Sequence, residues 1–144
     1  MERTELKTRA DGTVTALSSA KNVRVITGET TLTDADSGQV LILKATGGEA
    51  VTLPSSATVW NLKVIIGQAF ASTAWTLVTA GGENKIQGGA IVNSTLVPAA
   101  DEDTITFSAS AETVGDYVEL QCDGTNIYCN GVGTASGAIA FTAS

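Results

Sequence analysis

The sequence predicts an all-β protein: an antiparallel β-sandwich or jelly-roll-like barrel preceded by an extended N-terminal arm. Three observations predict it. First, the 144 residues include thirteen Val, nine Ile and twenty-one Thr, whose stiff χ1 suits a pleated surface better than a helix. Second, short alternating or apolar segments recur with turn signals at roughly 8–12-residue intervals, the rhythm of a sandwich or barrel. Third, residues 115–131 read Gly-Asp-Tyr-Val-Glu-Leu-Gln-Cys-Asp-Gly-Thr-Asn-Ile-Tyr-Cys-Asn-Gly, two alternating runs around an Asp-Gly-Thr-Asn turn. Asp123 and Asn126 can bond nearby backbone there, and Gly124 accepts positive φ without a Cβ clash.

The first 22 residues read as an arm and residues 23–144 as one β-sandwich domain. In the arm, Ala-Asp-Gly at 10–12 breaks any helix begun by residues 2–9, and residues 13–17 suit a short extended piece. Val23-Arg24-Val25-Ile26-Thr27 alternates and stops at Gly28. Residues 31–38 enter a turn, and residues 39–45 form a near-continuous apolar run, the mark of a central strand covered on both faces. Residues 50–53 end at Pro54, which cannot donate to a ladder. Further strands are expected at 61–66, 74–79, 85–87, 91–97, 104–109, 117–122, 127–129 and 138–142, about ten to twelve in all. Ala-Thr-Gly-Gly-Glu (45–49) and Thr-Ala-Gly-Gly-Glu (79–83) read as two turns of one kind, and no sustained repeat is visible.

Charge is unevenly spread. Residues 1–24 hold five bases against three acids, a balance of +2, whereas the remainder holds three lysines against twelve acids, a balance of −9. An acidic body repels nucleic acid and anionic membrane. The basic start fits either an arm that docks on an acidic surface or a solvated leader. No apolar run approaches the roughly 20 residues of a membrane span. The charged start lacks an apolar signal-peptide core, so synthesis and folding in a cytosol are expected. Histidine is absent, which removes the commonest general base and neutral metal ligand.

Cys122 and Cys129 flank the hairpin turn. If Asp123 pairs with Asn126, Cys122 faces Ile127 and Leu120 faces Cys129, so the sulfurs lie diagonally on the face of Val118, Leu120 and Ile127. That is poor disulfide geometry unless a bulge shifts the register, so buried free thiols are expected, with a disulfide as the alternative. Ser18-Ser19-Ala20-Lys21 has Ser-x-x-Lys spacing, but its partner motifs are missing and the match reads as chance. Asp34-Ala35-Asp36-Ser37-Gly38 lacks the further ligands of a calcium loop and reads as a turn bonding its own backbone. Asp101-Glu102-Asp103 reads as a solvated loop before the strand at 104–109. No phosphate loop follows Gly81-Gly82 or Gly88-Gly89. Asn93-Ser94-Thr95 is a glycosylation sequon by pattern only. Trp75 alternates with Leu77 and belongs to the core, while Trp60 and Tyr128 are the surface aromatic candidates, able in principle to stack on sugar. Asp101, Asp103, Asp116 and Asp123 are the carboxylates a hydrolase would need, with nothing to fix their separation. No catalytic, cofactor or metal residues are assigned.

Three segments in order carry a family resemblance: Thr-Leu-Thr-Asp-Ala-Asp-Ser-Gly at 31–38, Val-Thr-Leu-Pro-Ser at 51–55, and the hairpin at 115–131. The chain resembles small β-structured virion proteins of tailed bacteriophages, most of all capsid decoration (cement) and head-fibre proteins. Gly115, Asp116, Val118, Leu120, Asp123, Gly124 and Tyr128 match the family's closing strand and turn. Tyr128 departs from the Trp common at that place, and the two cysteines are untypical. The resemblance implies a structural role on the outer surface of the virion head, the major capsid protein as partner, and a homotrimer. In that setting Arg3, Lys7 and Arg9 are expected to dock the arm on acidic capsid sites. The alternative is a fibre or receptor-binding module that recognises host surface glycan.

Overall fold

The computed structural model describes residues 22–144 in full and, of the segment before them, the strands Arg3–Thr8 (β1) and Val14–Ser19 (β2). These two pair antiparallel, Leu6 opposite Ala16, and with no other described strand. The extended piece expected at residues 13–17 thus overlaps β2, and Arg3–Thr8 is a strand.

From Val23 the chain winds between two facing sheets. Val23–Ile26 (β3) lies in the first sheet and Thr30–Thr31 (β4) in the second. Val40–Leu43 (β5) returns to the first and Ala50–Thr52 (β6) to the second. Val59–Ile66 (β7) and Trp75–Val78 (β8) repeat the alternation. Each passage lands parallel to the last: Val23 pairs with Val40 and Val40 with Lys63, while Val51 pairs with Thr30 and Leu77. Three turns of a flat coil result. The connection a parallel pair needs, a dozen residues or more, is supplied here by a strand of the opposite sheet.

The second half closes this coil with antiparallel strands. Ile86–Val92 (β9) and Thr95–Glu102 (β10) form a hairpin, and Thr104–Phe107 (β11) docks on β8. Tyr117–Asp123 (β12) docks on β7 and turns into Ile127–Gly133 (β13), and Ile139–Thr142 (β14) docks on β11. The first sheet therefore has seven strands in the order β10-β9-β13-β12-β7-β5-β3, and the second five, β14-β11-β8-β6-β4.

The all-β sandwich expected from sequence is the observed architecture, with one correction. Its sheets are mixed, not antiparallel: among the described residues, five of the eleven strand ladders are parallel. Short strands with frequent turns look the same in either arrangement, because the turn spacing does not record which sheet the next strand joins.

One core fills the space between the sheets. Inward rows run across strands: Ile26, Leu43 and Ile66 lie in register, as do Leu41, Val64 and Val118, all buried. From the second sheet come Val51, Leu77 and Ile105, also in register. Each such side chain contributes about 1.5–3 kcal/mol on burial. Trp75 is fully buried, as its alternation with Leu77 predicts, and its indole N–H has no partner among the described residues. The run at 39–45 is only half as covered as expected. Leu41 and Leu43 are buried, but Val40 and Ile42 stay partly open on the outer face.

The two Gly-Gly-Glu turns are of different kinds. Gly48 is a close approach: a Cβ there would sit 2.2 Å from the carbonyl carbon of Ala74 in the next turn of the coil. Gly81 and Gly82 instead adopt φ of +72° and +68° in a helical turn between β8 and β9.

Candidate interaction surface

The outer face of the seven-stranded sheet carries an unexpected pattern. In an exposed sheet face the outward positions are usually polar. Here one cross-strand register line is apolar from edge to edge. Leu96 on β10 pairs with Ile91 on β9, Ile91 with Val132 on β13, and Val132 with Tyr117 on β12. Tyr117 pairs with Ile65 on β7, Ile65 with Ile42 on β5, and Ile42 with Val25 on β3. The ends of this row are the most open: Leu96 is 61 % exposed, Ile91 46 %, Val132 41 % and Val25 53 %.

On one side of this row exposed Lys44 flanks Ile42, while the two lines on its other side are uncharged overall. The next one contains Asn130, Glu119, Lys63, Val40 and Val23. Its two charges cancel, with Lys63 Nζ 3.5 Å from Glu119 and 4.5 Å from the centroid of the Tyr117 ring. The line after that contains Ala100, Gln87, Tyr128, Gln121 and Asn61. Asp101 accepts from Gln87 Nε2 at 2.6 Å and Asp123 from the Tyr128 hydroxyl at 3.1 Å, so carboxylates mark the rim.

At the β10 end the row borders a shallow groove of about 240 Å³ between residues 88–91 of β9, Leu96 of β10 and residues 129–131 of β13. Glycine makes this groove. A Cβ on Gly88 would lie 2.2 Å from the Cys129 carbonyl oxygen, and one on Gly89 2.5 Å from that of Val97. A Cβ on Gly131 would lie 2.5 Å from the Tyr117 oxygen. Gly88 thus excludes a side chain where β9 meets β13 in parallel, Gly89 does so against β10 and Gly131 against β12, and the surface dips.

The sequence-derived candidates distribute as follows. Tyr128 is exposed, as expected. Trp60 is not: it is 3 % exposed, and its Nε1 donates to the Ser55 carbonyl at 3.0 Å. The strand begins at Val59, one pair earlier than predicted, which puts Trp60 in phase with inward Leu62 and Val64. Trp60 and Tyr128 therefore face opposite sides of the sheet and form no joint platform. Arg3 and Lys7 fall in β1, whose side chains are not described, and Arg9 and Lys21 lie outside the described residues. Ser18 falls in β2.

Both cysteines are free and buried. The register is the one derived from the turn, Cys122 opposite Ile127 and Leu120 opposite Cys129. Burial pushes the Cys129 thiol up to about 12 and also raises Cys122.

Asp36, Asp101, Asp103, Asp116 and Asp123 are each committed to nearby donors. Asp36 accepts from the Thr33 N–H at 2.9 Å and pairs with Arg24 at 3.3 Å, so this segment is a self-bonded turn as expected. Asp123 accepts from the N–H groups of Thr125 and Asn126, both at 2.9 Å, and these hold its carboxyl below the usual range. The expected solvated loop at 101–103 is corrected. Asp101 is a bulge in β10 with φ +59°, and Asp103 is buried. Asp103 accepts from Ser144 (hydroxyl, and N–H at 2.9 Å) and from the Thr104 hydroxyl at 2.6 Å, donors that lower its pKa. Asp116 is buried and accepts from Thr113 N–H at 3.0 Å, Thr134 N–H at 3.0 Å and Thr134 Oγ1 at 2.9 Å. It ties the loop before β12 to the loop after β13. Among the described residues no group of three or more potential metal ligands converges.

The sequon at 93–95 is a hairpin tip. Asn93 and Ser94 both have positive φ, +48° and +65°, splitting the single strand expected at 91–97 into the end of β9 and the start of β10. Sequence reasoning missed the apolar row for a related reason. Its members sit on seven strands and are adjacent only once the register is known.

No protein-family model matches this chain, and neither the curated proteins nor the solved structures give a match.

Proposed function

We propose that this chain is a bacteriophage capsid decoration protein. In this reading it binds the outer surface of the virion head, after synthesis in the host cytoplasm, and stabilises the shell through contacts with the major capsid protein. It works as a homotrimer, and it works by contact area. The observation that carries the reading is the uncovered apolar row across all seven strands, set in a body whose buried carboxylates Asp103 and Asp116 serve structural hydrogen bonds. The resemblance of segments 31–38, 51–55 and 115–131 to phage virion proteins supplies the context. The leader, with Arg3, Lys7 and Arg9 near the start of a segment (residues 1–24) of charge +2, is the docking element. Each foot is weak, and three on one trimer multiply their affinity by effective concentration.

The test is co-sedimentation with undecorated heads of the phage that carries this gene. The full chain is expected to pellet with heads, and a chain lacking residues 1–20 to stay in the supernatant while keeping its β-type circular dichroism. Undiminished binding by the shortened chain would overturn the docking assignment. Failure of the full chain to bind heads would overturn the reading. The glycan-binding alternative keeps Tyr128 but not Trp60, and a glycan array hit without head binding would favour it.

A further inference from the structure

We propose that the apolar row on the seven-stranded sheet is a self-association face, covered in solution by a second copy of this chain and centred on Leu96, Ile91 and Val132. The proposal deepens the trimer element of the function above, but it needs no head and is tested without one.

Charge selects the occupant. Beyond residue 24 the chain carries −9, so two copies repel when they approach at random. The three adjacent register lines on this face hold only Glu119 and Lys63, which pair with each other. A cationic partner drawn to the acidic body would need free carboxylates at its contact, and these lines offer none. A face with no net charge is where like-charged copies meet at least cost, and charge depletion at the centre is the compositional mark of interfaces.

Area agrees. Seven strands at about 4.8 Å spacing and three lines at about 6.8 Å span roughly 600 Å² in plan. Pleating and side chains enlarge that toward the about 800 Å² per partner of a stable interface. Shape supplies an anchor. The glycine-floored groove lies directly beside Leu96 and Ile91, so an aliphatic side chain of one copy can enter the groove of the next. Buried anchors of this kind carry most of an interface's energy.

Sedimentation equilibrium on the purified full chain tests this, with circular dichroism confirming the fold of each variant. The wild-type chain is expected to self-associate. Leu96→Glu and Ile91→Glu place a charge in the centre of the face and are expected to weaken association at least about tenfold. Thr106→Glu, on the outer face of the five-stranded sheet, adds the same charge and should leave association unchanged. Where a glutamate variant does not fold, Leu96→Thr takes its place with the same expected direction. A wild-type chain that is monomeric, or one whose association survives both row variants, overturns the proposal. A monomer that still binds heads separates this failure from that of the decoration reading, since the row then meets the capsid.

Discussion

At the scale of single residues, the buried polar groups hold together what the sheets leave loose. Asp116 is the clearest case. Its carboxylate takes three hydrogen bonds from two loops that lie 18 or more residues apart in sequence. Replacing Asp116 by Ala removes the acceptor and leaves the Thr113 and Thr134 N–H groups to find water. We expect a loss of about 2 kcal/mol in urea unfolding, with Asp116→Asn costing less because one oxygen remains. Asp116 stood out in the sequence because it matches the phage-protein motif. Its burial and its partner Thr134 did not, since nothing local links position 116 to position 134. Trp60 makes the converse point. Its inward orientation follows from period-two alternation with Leu62, and it was misplaced only because the predicted strand started two residues too late.

Among the elements, the β9–β10 hairpin shows how turn chemistry decides structure. Two successive residues with positive φ are what a tight type I′ hairpin demands, and Asn-Gly satisfies that demand best. This chain has Asn93-Ser94, and Ser94 holds φ +65° against its Cβ. Ser94→Gly relieves that strain. The expected gain is about 0.5–1 kcal/mol, read as a rise of roughly 2 °C in the thermal midpoint. An unchanged or lowered midpoint would show that the Ser94 side chain stabilises the tip. The weak Asn-Ser signal also explains why residues 91–97 read as one strand. By contrast, the Asp123–Asn126 turn was legible down to its pairing, because Asp, Gly and Asn each act there through a local bond or a local dihedral.

For the whole molecule, the coil of β3 to β8 and its antiparallel closure share a single core, running from Ile26 to Ile139. Cys122 and Cys129 belong to it. A thiol raised to about 12 is almost wholly protonated at pH 8, and the thiolate is the reactive form. Labelling with a thiol reagent should therefore be negligible in the native protein and should reach both cysteines in urea. Its rate in water should follow the opening of the core as a unit. Rapid native labelling at either site would mean that the β12–β13 hairpin opens on its own.

The sequence by itself determined the class of the fold, the alternation of inward and outward residues along each strand, and the final hairpin with its two diagonal thiols. Those properties depend on residues close together in the chain, through χ1 preference, period-two patterning and turn hydrogen bonds. Only the tertiary structure decided that β3, β5 and β7 run parallel, that Asp103 and Asp116 are buried acceptors, and that seven outward residues on seven strands form one apolar line. Register and sheet order are set by packing between segments far apart in sequence, and a surface exists only after they are fixed.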